Sequence, residues 1–302
     1  MIIVGAGMSG LLAGQYFRSQ KPRILERQET LPHNHKALLR FRSEAVSNLS
    51  GIDFKKVRVD KAVSVNGCLY SKANIKMQNN YSRKVTGGVG QRSLSNLESV
   101  DRFIAPDDFI SQLSNGLDVE YGVDAKSAIL TAISEGESVI STMPISSLAK
   151  ILDYKDEFRL KARKVRVMKA TIEDIDCDVY QTIYFPELDT TLYRMSITGD
   201  QVIAEFVDNN NGLSSMAHDC DSAMRELFGI VSELEWDSHV QEFGKLIPHI
   251  GNEVKRFMSW ATQTYGIYSL GRWGTHRQIL MDDVVNDLHV INRMIKTENY
   301  ER

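Results

Sequence analysis

Cysteine is scarce in this chain: three in 302 residues, at positions 68, 177 and 220. They lie far apart, one is necessarily unpaired, and none has the close spacing of a metal site. Neither a disulfide framework nor a metal is therefore expected, and a reducing cytoplasm is the natural compartment. No apolar run approaches the ~18 residues that a membrane span requires. The opening MIIVGAGMSGLLAG is apolar, but it lacks a basic start and a small-residue cleavage site, so it reads as fold and not as a signal peptide. An excess of one charge is missing too. With 36 Lys and Arg against 39 Asp and Glu the net charge is -3, which argues against a dedicated nucleic-acid binder. The most basic stretch, RLKARKVRVMK at 159–169, reads as a solvated strand or helix face, or more sharply as a phosphate-contacting surface. His33 and His35 alternate without further partners and read as loop residues, no Ser-His-Asp arrangement stands out, and no repeat or low-complexity tract occurs.

What is present begins with a strand over 2–4, a helical pattern in SGLLAGQYFRSQ and a second strand in RILER at 23–27. That is a strand-turn-helix-strand unit, the start of a parallel sheet. VRVDKAVSV at 57–65 alternates as a strand does, and APDDFISQLS at 105–114 carries a helix start. Residues 137–152, ESVISTMPISSLAKIL, end a strand at Val139 and Ile140, turn at Ser-Thr and resume as a helix after Pro144. VRVMKATIEDI, VYQTIYFPE, TTLYRMSIT and QVIAEFV follow with turn residues between them, which predicts an antiparallel meander. SSMAHDCDSAMRELFGIV is helical in pattern, and the last helix is expected over 281–296.

The chemistry-bearing motif at the start is Gly5-Ala6-Gly7-Met8-Ser9-Gly10. In such a turn the first glycine permits the tight bend, the second clears space for a pyrophosphate, and the third lets helix and strand pack closely. The helix N-terminus then offers N–H groups to phosphate. Glu26 at the end of the second strand, with Arg27 beside it, suits an adenosine ribose, and a carboxylate there disfavours a 2′-phosphate. The candidate nucleotides are thus FAD or NAD. Thr142 and Pro144 in VISTMP return the chain toward it.

Taken with the terminal GRWGTHRQILMDD, these motifs resemble flavoproteins of the amine-oxidase and UDP-galactopyranose-mutase type. Mutases of that group carry a Gly-Arg motif with Met-Asp ten residues beyond the glycine, and Gly271 and Met281 have that separation here. The resemblance implies FAD, held at one end by residues 5–10 and Glu26 and at the other by Gly271, Arg272, Met281 and Asp282. Asp282 would bind the ribityl hydroxyls, and its helix dipole would face the flavin's N1–C2=O edge. It also implies an α/β fold: a Rossmann-like parallel sheet of the glutathione-reductase type with an inserted, mainly antiparallel substrate region. On this expectation 1–70 with 125–150 and 255–302 form a discontinuous FAD-binding domain, and 71–124 with 151–254 the insert. The family's arginine and paired glycines after the ribose acid are replaced by RQETLPHNHKALLRFRS, where Arg40 or Arg42 is the candidate phosphate contact.

Tyr184, Arg194, Trp273 and His276 are the candidates to face substrate: the tyrosine as a wall, Arg194 for a carboxylate or phosphate, the other two because they follow Arg272. Three functions remain open. One is an FAD oxidoreductase taking a hydride from a carbon next to an amine; the second is a non-redox mutase acting on a sugar nucleotide; the third is a non-catalytic flavin-binding subunit. HKALLRFRS, YSRK and RFIAPDDF are also similar to small phage-encoded FAD proteins of thymidine hypermodification. That likeness implies a glycinyl-type modified thymidine as substrate, a DNA contact through 159–169 and residence in host cytoplasm. No cysteine or histidine stands in a context for a covalent flavin link.

Overall fold

The chain was analysed as a computed structural model, which describes residues 1–31, 40–89, 93–155, 158–173, 178–207, 212–230 and 233–301, with backbone alone for 298–301. His33, His35 and Cys177 lie outside these residues. In chain order the strands are β1 (Ile2–Val4), β2 (Arg23–Leu25), β3 (Arg40–Phe41), β4 (Lys55–Val65), β5 (Cys68–Tyr70), β6 (Val100–Ile104), β7 (Asp118–Glu120), β8 (Val139–Ser141), β9 (Ala162–Thr171), β10 (Val179–Tyr184), β11 (Leu192–Gly199), β12 (Gln201–Val207), β13 (Asp237–Leu246) and β14 (Ile267–Ser269). The helices are α1 (Met8–Tyr16), α2 (Ala45–Ser50), α3 (Ile75–Thr86), α4 (Phe109–Ser114), α5 (Ala125–Ser134), α6 (Ile145–Ile151), α7 (Leu213–Phe228), α8 (Glu253–Tyr265), α9 (Gly271–Thr275) and α10 (Met281–Glu301).

Two sheets carry the expected α/β architecture. The first is wholly parallel, in the order β14-β8-β1-β2-β7. Ile2, Ile3 and Val4 are buried on both faces, as the short continuous apolar runs of a covered parallel sheet must be. One face packs under α1 and α10 through Leu11, Leu12, Phe17, Leu288 and Ile291; the other meets α5, α6 and α8. The second sheet is mainly antiparallel, in the order β13-β9-β12-β11-β10-β4-β6-β3, with β5 paired to β4. Its strands alternate with period two. Met195, Ile197, Val202, Ala204 and Phe206 face Met216, Cys220 and Met224 of α7, while Val63, Val165, Tyr184, Tyr193 and Ile203 face Tyr81 and Val85 of α3.

One expectation needs correction. The four central strands are not a consecutive meander. β10, β11 and β12 are, but β9 skips β10 and pairs β12 from Val165↔Val207 to Thr171↔Gln201, and β10 instead runs parallel to β4. The connection from 172 to 178 is too long for a tight hairpin, so it does not hold β9 beside β10. Sheet membership and the expected domain spans differ: β3, β4 and β5 fall within the 1–70 span and lie in the antiparallel sheet, while β7 falls within the 71–124 span and is the outer parallel strand. At three residues, Asp118-Val119-Glu120 is too short to show a period. β13 had no signal strong enough to be read, and the terminal helix runs on past 296.

Gly10 locks the first turn, because a Cβ there would lie 1.8 Å from the carbonyl oxygen of Gly5. A backbone atom cannot rotate aside. Gly10→Ala should therefore destabilise the protein by about 3 kcal/mol or prevent folding. Urea unfolding checks this, and a wild-type midpoint would contradict it.

Candidate active site

The strand ends of the parallel sheet deliver three separate stretches of chain to one seam. Gly5 has a φ of +96°, a backbone conformation L side chains rarely adopt, and a Cβ there would lie 2.4 Å from Thr142 Oγ1. Thr142 stitches the turn after β8 to it: its backbone N–H and its hydroxyl both donate to the Val4 carbonyl at 2.9 Å. Pro144 then stands at the N-cap of α6. Gly7 is different. It is extended, with φ -67° and ψ 175°, and a Cβ there would meet nothing within 4 Å. Protein packing therefore does not require this glycine. The N-terminus of α1, which starts at Met8, carries no side-chain cap, and its N–H groups are open to an anion.

Glu26 stands beside that turn, half-buried, with Oε2 accepting from Ala6 N at 2.7 Å and Oε1 from Gln28 N at 2.9 Å. Each carboxylate oxygen keeps a further lone pair, enough to accept ribose hydroxyls. Arg27 is exposed.

The tail arrives from the other side. Gly271 has a φ of +79°, and a Cβ on it would lie 2.6 Å from Ser9 Oγ. Ser9 Oγ also meets Met281 Sδ at 3.9 Å, and a Cβ on Gly274 would lie 2.8 Å from the Ser141 carbonyl. Head, centre and tail motifs thus share one seam. Asp282 is buried, and its carboxylate accepts from Arg42 N at 3.2 Å, Ser43 N at 2.8 Å and Ser43 Oγ at 2.6 Å. Its oxygens hold the 42–43 segment against α10, and Oδ2, with a single bond, keeps a lone pair. Arg42 completes the tether through Asp283 at 2.6 Å.

Facing the seam is one wall of the antiparallel sheet, and it is cationic. Arg40 reaches across to Thr182 Oγ1 at 3.2 Å and the Ile197 carbonyl at 3.4 Å, so its guanidinium belongs to this wall. Burial, then Arg194 and Arg102, pull its pKa down to about 10. Burial and Arg194 likewise lower Arg272, which donates to the Ile279 carbonyl at 3.3 Å, and burial lowers Arg102. Arg194 is held protonated despite burial by its ion pair with Glu205. Glu205 also accepts from Tyr193 Oη at 2.8 Å and lies 3.8 Å from Lys245 Nζ. Tyr184 is buried edge-on against Tyr81. The arrangement, several arginines around one carboxylate, can hold an anionic group.

Glu205, Arg102 and Lys245 were not singled out in the sequence. Glu205 did carry a signal: one acid inside the apolar QVIAEFV, opposite Arg194 in the neighbouring strand. Trp273 and His276 do not join Arg194. Trp273 packs on Phe243 at 5.7 Å, and His276, itself at φ +47°, turns to the Ile247 carbonyl at 3.2 Å and lines a separate cavity of about 540 Å³ with His249. The short helix Gly271–Thr275 rotates them away from Arg272.

The sequence matches no family model and no curated protein. By structure it is similar to reduced UDP-galactopyranose mutase, with a TM-score of 0.69 and 14% identity over 98% of this chain and 93% of that one. It is also similar to the PF1083 protein from Pyrococcus furiosus, at 0.60 and 12% identity over 98% of this chain and 97% of that one. An oxidoreductase from Methanosarcina mazei gives 0.59 and 11% over 97% of this chain and 99% of that one. At such identities the shared property is the fold, and it spans both sheets.

Burial pushes the Glu205 carboxyl up, but Arg194, Lys245 and the bond from Tyr193 outweigh it and hold the group at about 2. A depressed carboxylate stabilises the fold above its unfolded pKa of 4.5 and loses that contribution as pH falls toward 2. Wild type should therefore lose about 3 kcal/mol more than Glu205→Gln between pH 5 and pH 2, read by urea unfolding. Parallel pH curves for the two proteins would contradict it.

Proposed function

We propose that this chain is an FAD-dependent enzyme whose substrate carries an anionic group. The observation that supports the cofactor most directly is the empty space over Gly7, beside an uncapped helix N-terminus and opposite a tail glycine pressed onto Ser9. A bare glycine that packing does not need is what a pyrophosphate would require. In this reading Gly5–Gly10 and Glu26 take the adenosine half, and Gly271, Arg272 and Met281 border the flavin half. Bound there, FAD would supply hydride-accepting chemistry.

The residues of the chain then have separate tasks. Arg40, Arg102 and Arg194 hold the substrate's carboxylate or phosphate, and Glu205 keeps the Arg194 fork in place as a positioning residue. Tyr184 forms the apolar flank. The reaction that fits is oxidation of a C–N bond in an amine bearing such an anion. A glycinyl group on a modified thymidine meets that description through its own carboxylate. A second reading, a mutase-like enzyme on a sugar nucleotide, is favoured by the number of arginines, which suits a diphosphate, and by the 98% of this chain that overlays the mutase fold.

Gly7→Ala separates cofactor binding from folding. With no atom within 4 Å of the added carbon, the only cost is the poorer helix cap, and stability should stay within about 1 kcal/mol of wild type. FAD affinity, titrated by flavin fluorescence, should fall about a hundredfold or more as the side chain enters the pyrophosphate space. Equal FAD affinity would remove the cofactor assignment. Anaerobic mixing of the FAD-loaded protein with an amino-acid-type amine then separates the reactions: loss of the yellow colour without added reductant supports the oxidase. Turnover of a sugar nucleotide only after dithionite reduction supports the mutase reading instead.

A further inference from the structure

The basic stretch at 159–169 is not used by the seam. As β9 it is paired on both sides, with Val165 and Val167 buried, and it carries Arg163 and Lys164 to the C-terminal end of α3. There Arg163 and Lys164 join Arg83, Lys84, Thr190 and Thr191 in lining a cavity of about 440 Å³. Among the described residues no carboxylate lines it.

We propose that this cavity is a second ligand site, one that takes a phosphate group, either a phosphomonoester or a phosphodiester. Every charged side chain in the lining is a cation. The hydroxyl available to a ligand is that of Thr190, since Thr191 Oγ1 is closed off from solvent. Thr190 Oγ1 accepts from Leu192 N at 3.2 Å, which leaves its own O–H to donate. Beneath them Lys84 is buried, with Nζ donating to the Phe185 and Leu192 carbonyls at 2.8 Å.

Some of this charge has local work. Arg163 donates to the Lys84 carbonyl at the end of α3, and Lys164 pairs with Glu242 at 3.0 Å. Glu187 and Asp189 act on Lys84 from outside the lining. Burial outweighs them and lowers Lys84 to about 8, so an anion in the cavity would help to keep its proton in place. The volume lies in the range of small-molecule sites, with room for a phosphate and part of what bears it. The cavity adjoins the Glu205 cluster, since Val207 in its lining follows Glu205 by two residues and Arg163 pairs with Lys245 across the strands. It shares no lining residue with Arg40, Arg102, Arg194 or Arg272, and it does not depend on the flavin reading.

The test is calorimetric titration of the full chain with inorganic phosphate, with AMP and with a short single-stranded oligonucleotide. Wild type should bind inorganic phosphate saturably. Thr190→Val, which removes the hydroxyl and keeps the shape, should weaken binding about tenfold. Exposed Arg83→Ala should weaken it as well, while Arg272→Ala at the seam should not. AMP tighter than the oligonucleotide identifies a monoester ligand, and the reverse order a diester; either supports the site. Absence of saturable binding overturns it, as does phosphate binding that Arg272→Ala abolishes and the other two variants leave unchanged.

Discussion

Because Gly271 sits at φ +79° with Ser9 Oγ 2.6 Å from where its Cβ would go, the tail reaches the first helix only by having no side chain there. That close approach brings residues separated by almost the whole chain into one seam. It fixes where α10 begins, since Met281 lies against the same serine. It lies beside the start of α10 that holds the segment after β3, because Asp282 ties that segment through Arg42 and Ser43. A larger residue at 271 would push all of these apart together.

The second constraint is electrostatic. Arg40, Arg102, Arg194 and Arg272 are brought close enough to lower or oppose one another, with Glu205 as the carboxylate inside the cluster. Like charges gathered out of water are costly unless something offsets them. Glu205 offsets part and Asp282 acts on Arg102 from the other side. The remainder is an excess of positive charge on the wall, the kind of imbalance that a bound anion corrects. Strain of this sort marks a site better than any single residue type does.

Much of the parallel sheet was legible beforehand. Ile2–Val4, the glycine turn and Val139–Ser141 each combine an apolar run with turn chemistry, and that local signal survives into the fold. The glycine pattern was informative because each glycine has a different neighbour: Thr142 for Gly5, Gly5 itself for Gly10, open space for Gly7. The antiparallel sheet was legible only as a set of strands. Its order was not: β9 pairs β12 and β10 pairs β4, partners that are not neighbours in the chain and so carry no turn signal between them. A strand's own alternation is the same whichever neighbour it has.

From its sequence alone the chain determined a glycine-rich strand-to-helix turn, a strand-end acid and a tail motif at a set spacing, since each depends on local backbone geometry. Tertiary structure decided the rest. It bonded Arg40 to the sheet wall, engaged Asp282 with the 42–43 segment, and turned Trp273 to Phe243 and His276 to the Ile247 carbonyl. It also supplied Glu205, Arg102 and Lys245 from separate strands. Long side chains choose partners by distance in space, and that distance exists only once both sheets have packed.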